Sequence, residues 1–171
     1  MCCEKNILSK MIFILLIIAL VIFAIILNQE NTRNPNILVA IAENGDNTTL
    51  GITTIKFSQN EIEEGTAITH QTGSDEININ ETGIYQISYQ LYGVQDVSGT
   101  FNFNAALSVN GQILEDTFNQ SPVIRNSTEN RMTITSTVIL KLQAGDVLKL
   151  NGISIEDIEY QTARIDIEKI G

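Results

Sequence analysis

The chain has 171 residues, 43% of them hydrophobic, and 20 acidic against 10 basic side chains give it a net charge of −10. That length suffices for one sizeable domain with its own core, and the acidic balance excludes a nucleic-acid binder, which needs clustered Lys and Arg to displace counterions. Both cysteines, Cys2 and Cys3, precede a long apolar run, so the body of the chain has no thiol for a disulfide, a thiolate metal site or a cysteine nucleophile.

Residues 1–10 form a short N-terminal segment carrying Lys5 and Lys10. Residues 11–27 read MIFILLIIALVIFAIIL, an unbroken apolar run at the lower limit of the roughly 17–25 residues that span a bilayer as a helix. A cleaved signal peptide has a shorter apolar core and ends in small residues, and Ala24-Ile-Ile-Leu27-Asn28 offers no such site. The prediction is a single-pass, uncleaved transmembrane anchor. Lys5 and Lys10 put the N-terminus in the cytoplasm and everything from Asn28 onward outside. A bacterial lipoprotein carries its cysteine after the apolar segment, so Cys2 and Cys3 are thiols or juxtamembrane acylation candidates. Residues 28–36, polar and containing Pro35, are a short linker, and no Gly-X-Y repeat follows that would build a collagen triple helix.

From Ile37 the chain breaks into short alternating runs separated by Gly, Asn and Asp clusters, the spacing of an all-β sandwich or barrel. Strands are predicted at Ile37–Ala42, Ile52–Phe57, Ala67–His70, Glu76–Ile79, Ile84–Tyr92, Thr100–Val109, Ile113–Phe118, Arg131–Leu142, Asp146–Asn151 and Thr162–Ile167, with no helix outside the anchor. The central one lies in Gly83–Gly93, where Tyr85, Ile87, Tyr89 and Leu91 alternate with Gln86, Ser88 and Gln90. Phe101, Phe103, Ala105, Leu107 and Val109 share a second apolar face, and Asn110-Gly111 then makes a hairpin turn. Met132, Ile134, Val138, Leu140 and Leu142 share a third. Such faces must meet, because each alone would leave its apolar side in water.

Four segments, Gly65–Asp75, Ile77–Tyr89, Leu107–Gly111 and Leu142–Leu150, together resemble the C-terminal domain of BclA-type proteins, the collagen-like glycoproteins of bacterial spore surfaces. That domain is similar to the jelly roll of tumour necrosis factor and the complement recognition heads, and the resemblance covers roughly Asn36 to Gly171. It implies a compact antiparallel jelly roll over residues 37–171, a homotrimer with the Gly83–Gly93 strand near the threefold axis, and no enzymatic activity. The chain departs from the family in having no collagen-like region and no recognisable spore-targeting leader, with a membrane anchor in their place.

Sites for chemistry are sparse. His70 is the only histidine; it lacks a nucleophile-elbow context and reads as a surface or strand-end residue. One histidine with no extracellular cysteine leaves only carboxylates for zinc. No cofactor is expected, and calcium is the one metal for which oxygen ligands are on offer, in Glu43-Asn-Gly-Asp-Asn47 and Glu156-Asp-Ile-Glu159, neither of which has the twelve-residue loop signature. Glu63/Glu64 and Asp75/Glu76 are adjacent in sequence, so on strands they point to opposite faces and do not converge. Asn47, Asn80, Asn119 and Asn126 match the glycosylation pattern by composition.

The expectation is a membrane-anchored, extracellular, trimeric jelly roll acting as a surface or structural protein. The alternative readings are a ligand- or receptor-binding module of the same fold and a hydrolase hidden within it. Tyr85, Tyr89, Tyr92, Phe101 and Phe103 exceed what one small sandwich obviously buries, so some of them are expected between subunits, with Tyr92, on the polar face, the foremost candidate.

Overall fold

A computed structural model describes residues 14–23, 35–43, 47–48, 51–95, 103–120, 130–155 and 158–171. The chain divides into two units, Met1–Asn34 and Pro35–Gly171. In the first, residues 14–23 are helical. They fall inside the predicted anchor, whose remaining residues lie outside the described ones, and among the described residues no helix is long and apolar enough to cross a membrane.

The second unit is a sandwich of two antiparallel sheets. Its strands are β1 (Ile37–Glu43), β2 (Asn47–Thr48), β3 (Gly51–Thr54), β4 (Gln59–Glu64), β5 (Ile68–His70), β6 (Ile77–Ile79), β7 (Gly83–Gln95), β8 (Phe103–Val109), β9 (Gln112–Ile113), β10 (Asn119–Gln120), β11 (Asn130–Leu142), β12 (Val147–Ser154) and β13 (Ile158–Lys169). The first sheet runs β11-β7-β13-β1-β4, with β2 on β13; the second runs β10-β8-β12-β6-β5, with β3 on β12 and β9 on β8.

Alternation sets the layers. In β7, Tyr85, Ile87, Tyr89 and Leu91 are buried, while Gln86 and Gln90 are exposed on the reverse face. Register places Leu140 and Val138 of β11 opposite Tyr85 and Ile87, and Ile165 and Ile167 of β13 opposite Tyr89 and Ile87. Phe103, Ala105 and Leu107 of β8, with Leu148 and Leu150 of β12 and Ile77 and Ile79 of β6, complete a single core from the facing sheet. Tyr160 meets Phe103 at a ring-centroid distance of 5.3 Å. The Asn110-Gly111 turn forms as predicted: both residues adopt positive φ, 53° and 80°, and join Val109 to Gln112.

Two predicted strands need correction. Of Ile113–Phe118 only Ile113 is in a strand, the two-residue β9, and a 3-10 turn follows at Glu115–Thr117. The turn forms because the Thr117 hydroxyl donates to the Leu114 carbonyl at 2.7 Å and accepts from the Leu107 amide at 2.9 Å, replacing ladder bonds that a strand would have made. Within Ile52–Phe57, pairing ends at Thr54; Ile55 and Phe57 stay buried, and their amides bond to the Leu150 and Ser74 carbonyls.

Thr117 also couples the sheets, since Tyr89 Oη donates to its carbonyl at 2.7 Å. Thr117→Val keeps the shape but leaves the buried Leu107 N–H without its acceptor, which should cost about 1–3 kcal/mol. Chemical denaturation measures this, and an unchanged midpoint would show that the knot contributes nothing.

Candidate functional site

The face of the first sheet that points away from the core is the candidate site. Across it run Thr133, Thr135, Thr137 and Ile139 of β11, then Ile84, Gln86, Ser88, Gln90 and Tyr92 of β7, then Arg164, Asp166 and Glu168 of β13, by the register that places their inward neighbours in the core. Ile37, Val39 and Ile41 of β1 and Ile62 of β4 continue it.

Its middle is polar and internally bonded. Ser88 Oγ lies 2.9 Å from Thr137 Oγ1. Arg164 places Nε at 3.1 Å from both Asp166 oxygens and Nη1 at 2.7 Å from Glu61 Oε2, a fork that fixes the guanidinium and raises its pKa further, chiefly through the Asp166 hydrogen bond. Ser88, Gln90, Thr135, Thr137, Arg164 and Asp166 line an open depression of about 500 Å³.

The ends of the face are apolar. Ile84 is 44% exposed, Ile139 62%, Ile62 42%, and Ile170, just past β13, 47%. Among the described residues of this unit, the other large exposed apolar side chains are Ile52, Phe118 and Ile155. Ile84, Ile139 and Ile170 lie together at one end of a face otherwise built of hydroxyls, amides and charges, and Ile62 lies on the edge strand at its other side.

Of the five aromatics, some of which are expected between subunits, the structure places three in the core of their own chain. Tyr85, Tyr89 and Phe103 are buried in the core of their own chain and have no surface to offer a second copy. The phenols account for this: Tyr85 Oη donates to the Glu81 carbonyl at 2.5 Å and Tyr89 Oη to Thr117, so both rings can be buried without an orphaned hydroxyl. Burial pushes both phenols above their ordinary pKa. Phe101 lies outside the described residues. Tyr92 remains, half-buried on the outer face between Thr133 and Thr162. Sequence reasoning passed over the isoleucines, although Ile84 and Ile139 interrupt otherwise polar faces.

The second sheet carries a separate ion cluster. Lys149 Nζ lies 3.1 Å from Asp75 Oδ2 and 3.0 Å from Glu76 Oε1. The adjacent carboxylates therefore do converge, contrary to expectation, because they sit in the turn ahead of β6 and not on the strand. They converge on an ammonium, which serves as an internal counterion. Burial works against the Asp75 carboxylate, but hydrogen bonds from Thr54 and Lys149 and the Lys149 charge outweigh it and hold the carboxyl below its ordinary value. A carboxyl lowered on folding contributes stability that is present above its unfolded pKa and lost as pH falls through the folded one. Thermal midpoints should therefore fall on acidification below about pH 4. Lys149→Met should start lower and fall less steeply; an acid limb identical to wild type would remove this pair from the account.

Glu63 and Glu64 are exposed on β4. Among the described residues no three His, Cys, Asp or Glu side chains gather as metal ligands would; Glu43 is exposed, and residues 44–46 and 156–157 lie outside the described ones. Asn80 donates to the Thr66 carbonyl at 2.9 Å and Asn119 to the Thr135 carbonyl at 2.7 Å, so both amides take part in the fold. His70 does end a strand, β5, but it is buried at 5% exposure and not a surface residue.

No protein-family model and no curated protein matches this chain. Among solved structures it is similar to murine APRIL crystallised at pH 5.0, with 16% identity and a TM-score of 0.54 over 80% of this chain and 99% of that one. It is also similar to the globular domain of zebrafish complement 1qA protein, with 9% identity and a TM-score of 0.52 over 80% of this chain and 98% of that one. At these identities the likeness is one of fold, and the unit Pro35–Gly171 is an antiparallel jelly roll of the tumour-necrosis-factor and C1q type.

Proposed function

We propose that Pro35–Gly171 is a non-catalytic, self-associating head, a homotrimer built on the outer face of the first sheet. In this reading the N-terminal apolar segment anchors it to a membrane with the head outside, where it serves as a surface protein of the BclA-like kind. The observation that carries this is the exposed apolar cluster of Ile84, Ile139 and Ile170 at one end of that face, with Ile62 exposed on the far edge strand. A stable interface removes about 800 Å² per partner and is most apolar where it is driest, and this face supplies an apolar end. Tyr92 is the aromatic available to it. The anchor rests on residues 11–27 and the Lys5/Lys10 flank.

A second reading is favoured by the depression of about 500 Å³ in the same face: a ligand-binding module in which the polar middle stays open. Cross-linking intact cells that express the full chain separates the two. The proposal expects a ladder ending at three copies and digestion of the head by added protease. A chain that stays single, or a head digested only after permeabilisation, would contradict the assembly or the topology respectively.

A further inference from the structure

The buried ring of His70 faces oxygen on both sides. Nδ1 lies 2.6 Å from Asn60 Oδ1 on β4, and Nε2 lies 3.0 Å from the Ser74 carbonyl in the turn between β5 and β6. The orientation of the Asn60 amide is fixed independently of the ring. Its Nδ2 donates to the His70 carbonyl at 2.9 Å and to Glu63 Oε2 at 2.6 Å, so turning the amide over would set its oxygen against two acceptors. A neutral imidazole has one N–H and can serve only one of its two oxygen partners, leaving the other contact lone pair against lone pair. The imidazolium donates to both.

We propose that His70 is a protonation-controlled clasp, closed when both ring nitrogens carry a proton, that ties β4, the edge of the first sheet, to β5 of the second. The charged groups around it support a local switch. From β4 the network includes Glu63, held through Asn60; in the turn, Asp75 and Glu76 are engaged by Lys149. Phe57 meets the ring edge-on at 5.9 Å, and Ile77 of β6 pairs with His70. Loss of one proton to solvent opens either the Asn60 or the Ser74 contact. Because β4 also carries Ile62 and the Glu61 partner of Arg164, the opening loosens one border of the candidate face.

Nitrogen-15 NMR of the histidine ring in the Pro35–Gly171 unit, which has a core of its own, tests this between pH 5 and pH 8, the range that brackets free imidazole. At pH 5 both ring nitrogens should be protonated and the β4 amides that bond to β1 protected. At pH 8 the ring should hold one proton, and those amides should exchange at least about tenfold faster after correction for intrinsic exchange. His70→Gln should abolish the difference, and Asn60→Asp, which sets a carboxylate against Nδ1, should keep the ring doubly protonated to higher pH. A singly protonated ring at pH 5, equal protection of β4 at both pH values in wild type, or the same pH response in His70→Gln would overturn the clasp.

Discussion

Gly152→Ala should be among the most damaging single-methyl changes this head can suffer. Gly152 lies on β12 with its Cα toward the core, and the hydroxyl end of Tyr160, itself 1% exposed, occupies the space a Cβ would need. Tyr160 cannot swing away, because its ring packs on Phe103 within a core filled from both sheets. Overpacking of this kind costs about 1–3 kcal/mol, and the expected loss here is at the upper end, a drop in thermal midpoint on the order of 10 °C for a domain of this size. The double variant with Tyr160→Leu should lose less than the sum of the two single changes, since each relieves the other. A Gly152→Ala protein as stable as wild type would mean that the Tyr160 ring has room the packing denies it.

The second large effect is on assembly. Ile139→Asp should convert the proposed trimer to a single copy while leaving the jelly roll intact. The side chain is 62% exposed in the isolated chain, so the fold itself should change by no more than about 0.5 kcal/mol. In a threefold interface the change acts three times, and each carboxylate must shed water without a partner, which costs several kcal/mol. Ile84→Asp should behave alike, being on the neighbouring strand of the same patch. Ile52→Asp is the control: equally exposed at 60%, it lies on β3 of the other sheet and should leave the mass unchanged. Equal masses for Ile139→Asp and wild type would remove this face from the interface.

Most of the fold was legible because the long strands obey a period of two. β7 and β11 alternate regularly enough for their inward faces to be assigned, and Asn110-Gly111 marked its own turn, whereas β8 is buried on both faces, Asn104 and Ser108 included. β4 was not legible: Gln-Asn-Glu-Ile-Glu-Glu has one apolar residue and reads as a loop. It is an edge strand, and charged side chains are how an edge avoids pairing with another sheet. Missing β4 also hid Asn60, and with it the reason a buried His70 is tolerated. Which aromatics are core was not legible for a different reason. Alternation shows that Tyr85 and Tyr89 share a face, but whether a hydroxyl-bearing ring is core or interface depends on an acceptor within reach, and Glu81 and Thr117 come into place only when the chain folds. The isoleucines at 84 and 139 were visible as breaks in polar faces, but only the pairing of β7 with β11 brings both to one end of the same sheet.

The mass of the Pro35–Gly171 fragment in solution at micromolar concentration, read by light scattering, tests the central proposal most directly. Three copies per particle, falling to one in Ile139→Asp and staying at three in Ile52→Asp, is the predicted result. A wild-type fragment with the mass of one chain would contradict it.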